Sequence, residues 1–183
     1  MTRTTTRLLM SFVLSIVPAL AAAQAPPPPT PGPEHAVLKE DVGTWDASIE
    51  MMMPGAPPAP PSKGVEISSM GCNGLCLVTD FKGELMGGPF QGHGVSTWDA
   101  AKKKYIGSWS DSMTPGLAVT ESTWDPVKKT MNGTMDTPDG SGGSVKLRST
   151  VDYPAGKRVV SIFMPGPDGK EMQTMRITYT KRP

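Results

Sequence analysis

From Gly43 onward, apolar and polar residues alternate with a period of two, broken at short intervals by turn residues. In the stretch SVKLRSTVDY, Val145, Leu147, Val151 and Tyr153 fall on one face, and Lys146, Arg148, Thr150 and Asp152 on the other. In KEMQTMRITYT, Met175, Ile177 and Tyr179 oppose Thr174, Arg176 and Thr178. One face is apolar and one is wet, the signature of a half-buried antiparallel strand. The pattern predicts ten strands: Trp45–Met53, Gly64–Ser69, Cys76–Gly83, Gln91–Asp99, Lys104–Ser112, Leu117–Asp125, Thr130–Asp136, Ser144–Tyr153, Arg158–Met164 and Lys170–Thr180. Between them lie CNG, GGP, TPG, DPVKK, TPDGSGG, YPAGK and PGPDG, which are turn sequences. Only PEHAVLKEDVG reads as a helix, with Pro33 at its first position, Gly43 past its end, and His35, Leu38 and Val42 on one face. The fold class is therefore all-β, an antiparallel meander with one short N-terminal helix. Such a sheet must hide its edges, and closure into a barrel does so.

The tetrapeptide STWD occurs at Ser96–Asp99 and Ser122–Asp125, each time followed by two residues and a Lys-Lys pair; a third TWD lies at Thr44–Asp46. Asp suits the first position of a four-residue turn, and Pro126 the second. The expected pairs are Asp99 with Lys104 and Asp125 with Thr130, which set Trp98 opposite Tyr105 and Trp124 opposite Met131. A four-residue MTPG loop would pair Ser112 with Leu117 and bring Tyr105 opposite Trp124. One interior row, Trp98, Tyr105, Trp124 and Met131, is the expected result, with Trp109 two rows away on the same face. A PAGK turn pairs Val151 with Val160, and an Asp168-Gly169 turn pairs Ile162 with Met175 and Val160 with Ile177. The repeat is thus read as hairpin chemistry that delivers indoles to a core.

Composition adds a compartment. Arg3 and Arg7 precede an apolar run from Leu8 to Leu20, and Ala21-Ala22-Ala23 offers a small-residue cleavage site. The run is too short to span a bilayer, so residues 1–23 read as a secretory signal peptide cut after Ala23. Residues 24–33, including APPPPTPGP, read as a proline-rich disordered spacer. Residues 34–183 form one domain, long enough to bury about 70% of its unfolded surface. The formal charge of +1 falls to −1 without the two signal arginines. With no basic stripe or basic amphipathic helix, neither nucleic acid nor a membrane surface is an expected partner, and no membrane insertion is expected after cleavage.

The two cysteines, Cys72 and Cys76, lie in GCNGLC. In an exported chain they favour a disulfide with each other over a metal or redox motif. Neither a metal nor a cofactor is expected. His93 falls on the polar outer face beside Val95, and Glu121 beside Ser108, so both read as solvated. His35 reads as packing over one barrel end. Met51, Met52 and Met53 alternate faces and read as packing residues. PDGSGG lacks the lysine of a phosphate loop. No nucleophile, base and acid stand in a recognisable order, so no catalytic residue is assigned and an enzyme carries the lowest weight.

PGPEHAVLKEDVGTWD, DFKGELMGGPFQGHG, WDAAKKKYIGSWSDSM and PDGKEMQTMRITYTKR together resemble the bacterial exported proteins grouped as the domain-of-unknown-function family numbered 1579, over about Pro31 to Arg182. That resemblance implies a calycin-like, lipocalin-like barrel begun by a short helix and a G-x-W strand, here Gly43-Thr44-Trp45. It implies no reaction.

The leading expectation is an exported binding module, periplasmic or extracellular, holding a small apolar or amphipathic molecule. Trp98, Tyr105, Trp109, Trp124 and Met131 are its candidate ligand-binding residues. The alternative is an envelope interaction or structural protein with a filled core, forming a homo-oligomer through Val159 and Phe163 on the outer face. A hydrolase or a metal-binding protein ranks below both.

Overall fold

The structure is a computed structural model. It describes residues 27–183 except 54, 56, 58 and 167, so the expected signal segment and the first residues of the proline spacer lie outside it. The helix α1 spans Pro33–Leu38 and tightens into a 3-10 turn at Lys39–Asp41. The described residues then form ten strands: β1 Gly43–Met51, β2 Ser62–Gly71, β3 Cys76–Leu85, β4 Gly88–Asp99, β5 Lys104–Asp111, β6 Ala118–Asp125, β7 Thr130–Pro138, β8 Ser144–Asp152, β9 Lys157–Pro165 and β10 Glu171–Lys181. Each pairs antiparallel with its sequence neighbour, and β1 pairs with β10, which closes the barrel. All ten expected strands are present, and closure leaves no unpaired edge.

The turn chemistry explains most of the register. Asp99 Oδ1 accepts the amides of Ala101 and Lys102, and Asp125 Oδ1 those of Val127 and Lys128. These turns set Trp98 opposite Tyr105 and Trp124 opposite Met131, as expected. The pairs Val151–Val160, Ile162–Met175 and Val160–Ile177 also form.

The β5–β6 hairpin differs from expectation. Tyr105 faces Ser122 rather than Trp124, and Trp109 faces Ala118. The cause lies in the turn. Asp111 Oδ1 takes the amides of Met113 and Thr114, and the Ser112 amide stays paired to Gln91 O. The Ser112–Leu117 pair therefore never forms, and the loop is wider than four residues. The slip is of two residues, so every side chain keeps its face.

Cys72 and Cys76 form a disulfide across the β2–β3 connection, with Cα atoms 5.4 Å apart. Among the described residues no helix is long and apolar enough to cross a membrane.

Candidate functional site

The barrel has two unlike ends. The end nearest α1 is filled. Leu38, Leu77 and Tyr105 are buried together, with Val37, Val42, Met70, Trp98, Trp124 and Met131 packed against them. Four of the five expected binding residues, Trp98, Tyr105, Trp124 and Met131, are therefore brought together here. The Trp98 and Tyr105 rings lie 4.9 Å apart, and Trp124 meets Tyr153 edge-on at 5.6 Å. Polar bonds tie the helical segment to the wall: Tyr105 Oη donates to Glu34 O, Trp45 Nε1 to Asp41 O, and Tyr153 Oη to Asp41 Oδ2. Burial raises the pKa of both Tyr105 and Tyr153, so both phenols stay protonated donors. His35 is buried in α1, and its Nδ1 accepts the Gly32 amide, consistent with the packing role expected of it.

Beneath this plug lies a buried ionic cluster that alternation alone did not single out. Arg158 Nη2 donates to Glu66 Oε1 at 2.6 Å, and Ser68 Oγ donates to the same oxygen. Arg158 Nη1 lies 2.9 Å from Asp41 Oδ1, an ionic contact without hydrogen-bond alignment. The guanidinium also sits over the Tyr179 ring at 4.1 Å and the Trp45 ring at 5.0 Å. Burial opposes the charge on Arg158, but Asp41 and Glu66 outweigh it and raise its pKa, so it stays a cation. Burial also raises the Asp41 pKa, against the pull of Arg158. A signal for the cluster did exist. Arg158 shares the inward parity of Val160 and Ile162, and a charge at such a position is rarely there without a partner.

The other end holds both a core and a hollow: Ile49, Phe81, Leu85 and Tyr179 are buried together there, with Phe90, Trp109, Met175 and Ile177 packed against them. A cavity of about 460 Å³ is lined there by the inward residues of most strands and by Met113 and Thr114 of the β5–β6 loop. Its walls include Phe81, Phe90, Trp109, Leu147, Ile162 and Ile177, and Glu66 and Tyr179 lie at its inner limit. Two aromatics press against bare backbone, Trp109 with its ring face and Phe81 with one ring edge. A Cβ on Gly92 would fall 2.1 Å from Trp109, and one on Gly64 would fall 2.2 Å from Phe81. Those glycines let the rings lean into the wall and keep the lumen open. Trp109 Nε1 donates to Asp111 Oδ2, which holds the indole there. Trp109 is the one expected binding residue that lines this cavity.

His93 and Glu121 are on the outer face. His93 Nδ1 pairs with Asp80 at 2.8 Å, and Glu121 takes Lys102 and Lys104, which lower its pKa. Val159 and Phe163 also face outward, with Arg148 stacked 3.9 Å over the Phe163 ring. Among the described residues no group of three potential metal-ligating side chains is gathered.

A closed, ten-strand antiparallel barrel, plugged by a short helix at one end and hollow at the other, defines the class of protein. Residues 30–181 match the family described as "Protein of unknown function (DUF1579)", and the chain belongs to that family. Among solved structures it is similar in fold to Rv2717c from M. tuberculosis, with 9% sequence identity and a TM-score of 0.62, covering 83% of this chain and 99% of that one. A redesigned beta barrel also matches, at 14% identity and a TM-score of 0.40, over 81% of this chain and 95% of that one. No curated protein sequence matches.

Proposed function

We propose that this is an exported barrel that holds a small apolar or amphipathic molecule in its hollow end. The cavity carries the reading. Its volume of about 460 Å³ lies within the range of about 300–1,000 Å³ common to small-molecule sites, and its walls are mainly apolar and aromatic. A barrel serving only as a scaffold has no need of glycines that draw Trp109 and Phe81 back from the lumen, which counts against the filled-core alternative. Trp109 contacts the ligand in this reading. Trp98, Tyr105, Trp124 and Met131 seal the far end. Export is supported by the apolar run before Ala21 and by a Cys72–Cys76 disulfide, which persists in oxidising compartments.

Native mass spectrometry of protein purified from its own host is the test. The expected result is a chain beginning at or near Gln24, carrying one small molecule that denaturation releases. An empty chain that also takes up no apolar probe sinks the binding reading. A chain that keeps residues 1–23 sinks export.

A further inference from the structure

We propose, resting on the reading of the hollow end as a small-molecule site, that its occupant is an apolar molecule with a hydroxyl or amine donor at its inner tip, and not a carboxylate. The argument is the sign of the polar atoms that meet the lumen. Two carboxylates, Glu66 and Asp111, line the cavity, and none of the described lining residues is Lys, Arg or His. At the inner limit, Glu66 Oε1 is occupied by Arg158 and Ser68. Tyr179 also lines the cavity, and burial keeps its phenol protonated.

At the mouth, Asp111 Oδ1 takes two backbone amides and Oδ2 takes the Trp109 indole, so this group also acts as an acceptor. Thr174, on the wall, spends its hydroxyl proton on Ile162 O. The lumen therefore carries a carboxylate at each limit, and its nearest cation, Arg158, lies behind Glu66 and is already paired with Glu66 and Asp41. An incoming carboxylate would lose its water and find no unpaired cation to replace it. A hydroxyl or amine would meet a charged acceptor in a dry site, where such a bond is strong.

Three probes of one shape separate the possibilities: 2-naphthol, 2-methoxynaphthalene and 2-naphthoate, titrated into the mature protein by calorimetry at neutral pH. 2-Naphthol is expected to bind about tenfold tighter than its methyl ether, the gain of one hydrogen bond to a charged group. 2-Naphthoate is expected to bind weakest. Glu66→Gln keeps the side chain's shape and should bring naphthol and its ether within about twofold of each other, with the ether's affinity unchanged. Equal binding of naphthol and the ether to the parent protein overturns this inference and leaves the binding reading standing. Naphthoate binding as tightly as naphthol overturns it as well, as does a folded Glu66→Gln variant that keeps the full naphthol preference. Should that variant fail to fold, the order of the three probes on the parent decides alone. Binding of none of the three removes both the inference and the reading beneath it.

Discussion

The two ends of the barrel are built from the same ten strands and the same kinds of residue, yet one is sealed by a helix and the other keeps a cavity beside its core. Three of the four tryptophans, Trp45, Trp98 and Trp124, belong to TWD segments, and in a meander those segments all fall at one end: the start of β1 and the ends of β4 and β6. There the indoles meet α1, Asp41 and Tyr153. The fourth, Trp109, stands near the end of β5 and so at the opposite mouth. It lies flat on Gly92 and Gly94 with no helix above it. The difference teaches that a large aromatic fills a barrel only when something closes over it. Backed by glycine and left uncovered, the same side chain becomes a wall.

The comparison breaks most readily at the ionic cluster. Arg158→Met would leave Glu66 and Asp41 without their buried cation, and urea unfolding should show a loss of about 3–5 kcal/mol, a large share of the roughly 5–15 kcal/mol such a domain holds. A loss no greater than that of Trp109→Ala would show that the packed end is not where stability is concentrated. Next come the indoles. Trp124→Ala or Trp98→Ala, each leaving a hole under α1, should cost about 3 kcal/mol. Trp109→Ala already borders empty space, so it should cost only about 1.5 kcal/mol by the same cavity logic while weakening probe binding more than either.

The third test uses pH. The chain has three tyrosines, Tyr105, Tyr153 and Tyr179, and burial is the largest cause raising the pKa of each. A folded pKa above the unfolded value near 10 means stability that is fully present below about pH 10 and is lost as pH climbs above it. Phenolate absorbance at 295 nm should therefore stay flat through pH 10 and rise only with alkaline unfolding. A normal tyrosine titration in the folded protein would place at least one phenol in water. The smallest effects belong to the surface. Asp99→Ala and Asp125→Ala should each cost about 0.5–1 kcal/mol, as for lost caps of other turns. His93→Ala should leave the urea midpoint unchanged.

Local chemistry made most of this readable in sequence. Asp99 and Asp125 fix two hairpins through bonds to residues two and three positions on, so Trp98–Tyr105 and Trp124–Met131 follow from turn rules alone. Alternation placed His93 and Glu121 outside and Val160, Ile162 and Ile177 inside. Asp111 uses the same turn chemistry, but Ser112 remains bonded to β4, and that competition between strand and turn has no mark in the MTPG letters. The two-residue slip there moved Trp124 away from Tyr105 and widened the loop that now rims the cavity. The Arg158–Glu66 pair was hidden for another reason. Its partners stand 92 residues apart, on strands that are not neighbours in the barrel order, and they meet only across its interior. The separation of Trp109, at the cavity, from the four residues packed under the helix was likewise invisible, because strand patterns give faces and do not say which end a helix will cover.

Closure through β1 and β10 has a consequence for how the molecule would sit on a surface. Trp45 pairs with Lys181, and the Arg182 amide bonds back to Thr44 O, so the chain enters and leaves the barrel side by side, at the plugged end beside α1. A bead, a fusion partner or a surface attached through the C-terminus would therefore lie beside the helix and leave the opposite mouth facing the bulk solution. Held by that end, the barrel keeps the mouth of its cavity uncovered.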